Sequence, residues 1–333
     1  MRNHLTHLLA IFFLLVCMTV EIQSQGAGVI EGQVFNATPG GTPVSKVPVI
    51  LWALDAQDQE ILRQEATNEE GRVRFENLDT AGYSYQLQAE HQGVSYGSDV
   101  VAFGQGENLL SVSVAVYDAT THDADLWVER AHLILEFQAG TLLLQEVQIF
   151  VNAGTKTYVS SGGAGGHTTH FSLPQAATEL QLTEGLMACC IERTDGGFAY
   201  TGPILPGEKE FFFSYELPYR SASHTLSKEI LYPIGHLDVL VADNGVEVTG
   251  PALIAQEPVS IRDRRYLHLT AEDLAPGDGL TLHLANLPLE GRPAEPSMPG
   301  STVLVRAVIG VGTLAVLLVL AYPFLKNRQG KEG

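Results

Sequence analysis

The sequence predicts an all-β chain of two β-sandwich domains in tandem, followed by one C-terminal transmembrane helix. Polar and apolar residues alternate in short runs over residues 29–117 and 126–287, and Gly, Asn and Asp separate those runs. Residues 304–325 form an apolar run whose one charge is Arg306. As a helix with a rise of about 1.5 Å per residue, that run is long enough to cross a bilayer.

The N-terminal residues 1–25 have the plan of a secretory signal peptide. A short polar lead with Arg2 precedes an apolar core from Leu8 to Val20, and small and polar residues follow it. Cys17 has no small residue before it, so the segment is a poor lipoprotein signal. An uncleaved N-terminal anchor is the alternative.

Residues 28–118 predict the first β-sandwich. Its strands are expected around Ile30–Val34, Val47–Trp52, Val73–Phe75, Tyr83–Ala89 and Ser111–Val116. Gly71 supplies a turn conformation before a strand from which Phe75 and Leu78 point into the core. No window of helical period competes with these strands.

Several spaced residues of this domain carry a family resemblance. The patterns Ile30-x-Gly32-x-Val34, Val47-Pro48-Val49-x-Leu51, Thr67-x3-Gly71-x3-Phe75-x2-Leu78 and Tyr83-x-Tyr85 resemble the carboxypeptidase regulatory-like domain. The resemblance covers about residues 29–117 and implies a transthyretin-like β-sandwich, a fold also described as carbohydrate-binding-like. Because family members are usually accessory modules of secreted or surface proteins, it implies an accessory role without a catalytic motif.

Residues 119–125 predict a polar linker, and residues 126–287 predict a second β-sandwich of Ig-like or jelly-roll-like type. His132–Phe137 and Leu142–Val151 are expected to pair as a hairpin. Residues 211–217 alternate large apolar with other side chains and predict a strand with one buried face. Asn244-Gly245 lies between two alternating runs and predicts a second hairpin.

The C-terminal part predicts a membrane anchor. Residues 288–302 are rich in proline and form an extended stalk, residues 303–325 form the transmembrane helix, and residues 326–333 form a short tail. The tail contains Lys326, Arg328 and Lys331, and basic flanks favour the cytoplasmic side. We therefore expect a single-pass protein of the cell membrane, with its N-terminal domains extracytoplasmic and its C-terminus cytoplasmic.

The charge of the chain restricts its partners. There are 38 Asp and Glu residues against 19 Lys and Arg, and the formal net charge is −19. Such a surface repels nucleic acid and anionic lipid headgroups. It would attract cations or a protein partner with a basic face, although the same acidity can also serve solubility alone.

Cys189 and Cys190 are adjacent and are the most unusual chemistry in the sequence. A vicinal disulfide, a soft metal ion such as Cu(I), or one buried and one exposed thiol are all compatible with such a pair. On a strand the two side chains would point to opposite faces, which favours the two separate thiols.

Two further segments are candidates for contact or metal binding. His167 and His170 follow a glycine-rich run, but on a strand they would face opposite sides, with no carboxylate or cysteine near them in sequence to complete a zinc site. A flexible loop or a contact loop remains. Residues 262–265 form a basic cluster, which fits a solvated loop with internal ion pairs or an interface contact.

No local catalytic motif occurs in the sequence. A Gly-x-Ser-x-Gly elbow, a His-Glu-x-x-His zinc motif and a glycine-rich dinucleotide fingerprint are all absent. We therefore expect a binding or scaffolding protein, as an accessory subunit or adhesion-type module without a cofactor, rather than an enzyme. A carbohydrate-binding surface protein is one alternative, and a metal- or thiol-dependent extracytoplasmic enzyme is the other.

Overall fold

The computed structural model describes residues 28–55, 60–138, 140–163, 165–182 and 190–289. These residues form strands, turns and loops, which confirms the all-β prediction for this part of the chain. None of its helices is long and apolar enough to span a membrane. The predicted signal peptide, transmembrane helix and tail, Cys189, and the stalk from residue 290 onward lie outside the described residues.

The chain divides into two compact units, Met1–Asp118 and Ala119–Gly333. The described residues of unit 1 form seven strands: β1 (Gly28–Asn36), β2 (Pro48–Asp55), β3 (Glu60–Ala66), β4 (Arg72–Leu78), β5 (Tyr83–His91), β6 (Val94–Gly97) and β7 (Leu109–Val116). They form a three-stranded sheet in the order β4-β1-β7 and a four-stranded sheet in the order β3-β2-β5-β6. All pairings are antiparallel except that of β1 with β7.

Alternation places the core of unit 1 as the sequence predicts. Phe75 and Leu78 are both 3% exposed, and Ile30 and Val34 are buried on β1. Gly32 is required there, because a Cβ atom would lie 2.6 Å from Val73 Cγ1 and would also clash with a buried leucine of β5. Gly71 has φ +77°, a conformation that L side chains rarely adopt, and therefore makes the predicted turn.

The described residues of unit 2 form fifteen strands. They are β8 (Ala119–Thr120), β9 (Leu126–Gln138), β10 (Thr141–Asn152), β11 (Thr157–Tyr158), β12 (Thr169–Ser172), β13 (Thr178–Leu182), β14 (Ile191–Thr194), β15 (Gly197–Tyr200), β16 (Gly207–Pro218), β17 (His224–Glu229), β18 (Ile234–Ala242), β19 (Glu247–Thr249), β20 (Ile254–Ile261), β21 (Arg264–Leu274) and β22 (Gly279–Ala285). A seven-stranded sheet has the order β13-β16-β10-β9-β18-β21-β20. Smaller sheets are β12-β15-β14, β17-β22-β19 and the pair β11-β8, which includes the start of the predicted linker.

Aromatic side chains fill the core of unit 2. The alternating residues of β16 are buried as predicted, with exposures of 0% for Phe211 and Phe213 and 2% for Tyr215. Phe150 meets Phe211 edge to face, with ring centroids 5.3 Å apart. Edge-to-face packing of this kind adds stability beyond area burial alone. The core therefore lies against one face of the large sheet, and the small sheets contribute the facing aromatic rings.

One of the two predicted hairpins is confirmed and the other is wrong. β9 and β10 pair antiparallel, from Gln138 opposite Thr141 to Leu126 opposite Asn152. β18 and β19, which flank Asn244-Gly245, do not pair, since β18 lies between β9 and β21 whereas β19 pairs with β22 in another sheet. The chain turns tightly here, with the Asn244 N–H donating to the Ala242 carbonyl at 2.9 Å and Gly245 at φ +80°, and the next strand joins another sheet.

Replacing Phe75 with alanine should destabilise unit 1 by about 3–5 kcal/mol, because a buried ring is lost and a cavity remains. Phe35→Ala is the matched control, since Phe35 is 44% exposed in the same sheet. Chemical denaturation of the full chain in mild detergent, followed by near-ultraviolet circular dichroism, measures both. Equal effects of the two substitutions would contradict the described packing.

Candidate functional site

The densest group of chemically active side chains lies on three neighbouring strands of the large sheet. The parallel register of β9 and β18 places His132 beside Asp238, and the antiparallel register of β18 and β21 places His236 beside Glu272. His268 of β21 lies opposite Leu240, which is two residues beyond Asp238 on β18. Because side chains alternate along a strand, these residues share the face opposite the aromatic core. We call His132, His236, His268 and Asp238 the histidine–aspartate cluster.

The three imidazole rings converge on the carboxylate of Asp238. His268 Nε2 lies 2.8 Å and His236 Nε2 lies 3.1 Å from Asp238 Oδ1. His132 Nδ1 lies 3.2 Å from Oδ2, but that contact lacks hydrogen-bond geometry, and both atoms are without a hydrogen-bond partner among the described residues. The side chains of His132 and Asp238 are 3% and 5% exposed, so the centre of the cluster is shielded from bulk solvent.

His236 extends the cluster toward the surface. Its Nδ1 lies 2.6 Å from Glu272 Oε1, while its Nε2 faces Asp238. Arg130 Nη1 adds positive charge 3.9 Å from Asp238 Oδ2. The cluster is therefore an alternating set of acidic and basic side chains.

Two opposing effects set the charge of Asp238. Burial raises the pKa of its carboxyl, but His132, His268 and His236 lower that pKa by more, and the net pKa lies well below the usual range. The side chain is therefore ionised throughout the neutral and mildly acidic range. The histidines around it stabilise this buried negative charge.

The geometry argues against two kinds of chemistry at the cluster. The carboxylate occupies the point on which the imidazoles converge, and no group of three His, Cys, Asp or Glu side chains in the described ranges is arranged to hold a metal ion. A general base works best with a pKa near the operating pH, which the lowered pKa of Asp238 does not provide. The neighbouring Thr270 hydroxyl accepts a hydrogen bond from Gln256, 2.9 Å away.

A second buried charged group lies in the aromatic core. Lys228 Nζ is 2.9 Å from Glu146 Oε1, and the two side chains are 9% and 4% exposed. Tyr215 donates a hydrogen bond of 2.8 Å to the same oxygen, and Gln148 donates one of 3.1 Å to the other. Burial, followed by the charge of Glu146, raises the pKa of the Tyr215 hydroxyl far above its usual value. Both charges of this ion pair are therefore buried, and each has a partner of opposite charge beside it.

In unit 1, the side chains around Asp118 hold the loop that follows β1. The Asp118 carboxylate accepts hydrogen bonds from the Asn36 side chain at 2.8 Å and from the Thr42 backbone at 3.2 Å, and lies 3.2 Å from His91 Nε2. Burial raises the pKa of Asp118, but these hydrogen bonds outweigh it and lower the pKa to about 2. The residue fastens the segment after β1 to the end of the unit.

The structure brings His167 and His170 together, against the sequence argument. Their ring centroids are 5.1 Å apart. The sequence argument placed both histidines on one strand. It was wrong because β12 begins at Thr169, so His167 lies before the strand and its side chain need not alternate with that of His170. Glu192, which is distant in sequence, lies 2.8 Å from His167 Nε2. Burial, with the charge of His167, lowers the pKa of His170.

Of the two adjacent cysteines, the structure describes Cys190. Cys190 precedes β14, packs partly against the aromatic core, and accepts a hydrogen bond at its carbonyl from the Thr201 backbone. The histidine–aspartate cluster lies on the seven-stranded sheet, whereas β14 belongs to a three-stranded sheet. Cys190 and the clustered histidines therefore do not share a strand or a sheet.

The basic cluster at residues 262–265 forms internal ion pairs. Arg264 contacts both carboxylate oxygens of Glu136, at 2.8 and 3.0 Å, and Arg265 contacts Asp243 at 2.9 Å. Arg262 and Asp263 both have positive φ and make the tight turn between β20 and β21. This outcome agrees with the solvated-loop interpretation.

Aromatic side chains on the surface are sparse in the described ranges. Phe35 is the one exposed aromatic residue there, whereas the tyrosines and tryptophans are buried or half-buried. Sugar rings are bound by exposed aromatic faces, so the carbohydrate-binding alternative gains no support from these ranges.

Sequence reasoning missed the histidine–aspartate cluster. The available signal was a polar residue in the middle of an apolar strand, as in His132 of β9 and Asp238 of β18. The strand pairing that joins them could not be read from that signal.

Comparison with known proteins leaves the chain without an assigned family. No protein-family model matches it, and no curated protein shows significant similarity. Among solved structures, the major pilin SpaA of Corynebacterium diphtheriae is 13% identical with a TM-score of 0.20, over 61% of each chain. The present chain thus spans less than two thirds of that protein.

Two further pilins give similar values. SpaD of C. diphtheriae is 12% identical with a TM-score of 0.21, over 77% of this chain and 82% of the pilin. RrgB of Streptococcus pneumoniae is 9% identical with a TM-score of 0.21, over 84% of this chain and 65% of the pilin. Similarity at this level does not establish a shared fold or function.

Asp238→Asn should lower the stability of the protein at neutral pH by about 1–3 kcal/mol, because buried donors lose an ionised acceptor. The folded pKa of Asp238 is lowered, so its contribution is present above the unfolded pKa of about 3.9 and is lost as pH falls below it. The variant should therefore lose less stability than the wild type between neutral pH and about pH 3.

Asp273→Asn is the control, since Asp273 is an exposed residue of β21 whose positive φ asparagine tolerates. Denaturant midpoints at a series of pH values measure all three proteins. Parallel stability curves for the wild type and Asp238→Asn would show that the carboxylate is not stabilised as described.

Lys228→Met and Glu146→Leu should each cost about 3–5 kcal/mol, because each leaves one buried charge without its partner. The double variant should be much less destabilised than the sum of the two, since it removes both charges. Arg265→Met, which breaks an exposed ion pair, should cost less than about 1 kcal/mol. A thermodynamic cycle from urea unfolding tests this, and additive costs would contradict the described pair.

Proposed function

We propose that this protein is a membrane-anchored extracytoplasmic binding or scaffolding protein, acting as an accessory subunit or adhesion-type module. Unit 1 would be an accessory module of the carboxypeptidase regulatory-like kind, and the apolar run 303–325 would be the anchor. The basic tail and the signal-peptide pattern support an orientation with both units outside the cytoplasm.

One observation carries this proposal. Three groups of ionisable side chains in the described ranges, centred on the half-buried Asp118 and the buried Glu146 and Asp238, are each surrounded by partners from their own fold. An active site needs a reactive group facing a space that a substrate can enter. The charged side chains of these three groups pair with one another instead, which supports a stabilising role for them.

The outer surface is then the part available to other molecules. Acidic residues outnumber basic ones by 38 to 19, and several of the basic residues are already paired internally. A protein partner with a basic face is the complement of such a surface. No observation in the described ranges favours the carbohydrate-binding or the enzymatic alternative over this one.

The full chain, purified in mild detergent and immobilised through its tail, should retain a partner from native membrane extract. Retention should weaken with salt, because the screening length falls from about 10 Å at 0.1 M to about 3 Å at 1 M. Residues 288–333 alone, immobilised in the same way, are the matched control for binding by the stalk and anchor.

A glycan array and a broad hydrolase screen on the same preparation test the alternatives. Retention that is independent of salt would remove the charge argument. A turnover abolished by a histidine or cysteine substitution, with no partner retained, would replace the binding proposal with an enzymatic one.

A further inference from the structure

Strand β7 differs from the other long edge strands that the structure describes. It is eight residues long, has the sequence Leu-Leu-Ser-Val-Ser-Val-Ala-Val, and pairs in the described chain with β1 alone. The other described edge strands of five residues or more are β3, β4, β13, β17 and β20. Each of them contains at least one charged residue, and β20 also contains a proline. Charges and prolines are the usual means by which proteins prevent edge strands from pairing with other chains.

On one side of β7 the backbone groups form hydrogen bonds with β1, and on the other side no described strand pairs with it. The carbonyls of Asn108 and Val116 accept hydrogen bonds from the β1 side, so even-numbered residues direct their backbone groups toward β1. Because direction alternates along a strand, Leu109, Ser111, Ser113 and Ala115 direct theirs outward. The side chains of Leu109, Ser111 and Ser113 are exposed, whereas Val112 and Val114 are buried.

We propose that the open edge of β7 pairs antiparallel with β7 of a second copy of this chain. The outward residues then face each other in a register that sets Ser111 of one copy opposite Ser113 of the other. Each such pair exchanges two backbone hydrogen bonds. The three-stranded sheet β4-β1-β7 becomes part of a continuous sheet across a two-fold axis, the commonest symmetry of dimers.

The register favours a second copy as the occupant, because each outward residue of β7 then meets an uncharged outward residue of the same strand. Two chains of net charge −19 repel each other over most of their surfaces, but the outward side chains of β7 are uncharged. Like charges directly opposite each other destabilise a sheet pair, and this register places none there. The buried residues of β7 also stay on the core side of both copies, as the period of two requires.

The exposed apolar residues of this sheet fit the same register. Leu109 is 47% exposed and lies beside Val29, while Phe35 is 44% exposed and lies beside Ala115. Pairing that places Leu109 opposite Ala115 of the other copy forms a row of Val29, Leu109, Ala115 and Phe35 across four strands. The small Ala115 leaves room for the leucine and the phenylalanine to cover it from either side.

Ser113→Pro tests the proposal, since proline removes one outward N–H and leaves the pairing with β1 intact. Ser113→Ala is the matched control, because it retains the N–H group. Sedimentation of the full chain in mild detergent should show a dimer for the wild type and Ser113→Ala at micromolar concentration, and a monomer for Ser113→Pro. A dimer that survives Ser113→Pro, or a wild type that stays monomeric, overturns the proposal.

Amide hydrogen exchange supplies a residue-level readout. The outward amides of Ser111 and Ser113 should be protected only at concentrations where the dimer forms, whereas Val112 and Val114 should be protected throughout. Concentration-independent exchange at Ser111 and Ser113 would count against the pairing.

Charge complementation keeps the test decisive if Ser113→Pro fails to fold. The double variants Ser111→Lys/Ser113→Lys and Ser111→Glu/Ser113→Glu should each be monomeric, because like charges would face each other. Their mixture should dimerise, because opposite charges then pair across the two-fold axis. Failure of the mixture to dimerise, with both variants folded by circular dichroism, contradicts the proposed register.

Discussion

The fold of unit 2 depends on the packing of an aromatic core against one face of a seven-stranded sheet. Phe150, Phe211 and Phe213 come from two adjacent strands of that sheet, and Phe171 and Phe198 come from a small sheet that covers it. Their rings meet at centroid distances of 4.7 to 5.8 Å. Each ring fixes the position of the next, so the small sheets are held by side-chain contact with the large one. The buried pair of Glu146 and Lys228 lies in this core, where Tyr215 donates a hydrogen bond to Glu146 and Lys228 Nζ lies 5.9 Å from the centroid of the Phe213 ring.

Local patterns in the sequence predicted the features that depend on neighbouring residues. Alternation identified the buried face of β16, Phe75 and Leu78 as core residues, and the β9–β10 hairpin. It did not predict the fate of Asn244-Gly245, because a tight turn sets the reversal of the chain but not the sheet that the next strand joins. The histidine–aspartate cluster could not be predicted from the sequence, for a related reason. It requires the parallel pairing of β9 with β18, and the relevant residues lie about a hundred positions apart with no local feature linking them.

The buried charges and the surface of the molecule have different roles. Asp118, Glu146 and Asp238 each have lowered exposure and several partners, and each connects segments that are distant in sequence. Buried polar networks of this kind favour one arrangement of strands over its alternatives, because a shifted register leaves charges unpaired in a dry interior. The surface is strongly acidic, with the edge of β7 as an uncharged exception. Specific contacts with other molecules are therefore more readily explained by the surface than by the interior.

The parallel pairing of β9 and β18 also determines when unit 2 can fold during synthesis. Contacts such as that between Glu136 and Arg264 span 128 residues, so the centre of the large sheet cannot close until β18 and β21 have left the ribosome. Until then, one backbone edge of the largely apolar strand β9 has no partner, although its hairpin with β10 can already form. High contact order slows folding and prolongs the exposure of such edges. Unit 1 lies entirely within the first 118 residues and is complete earlier. Binding of β9 by a chaperone in this interval would therefore protect the chain at its most aggregation-prone stage.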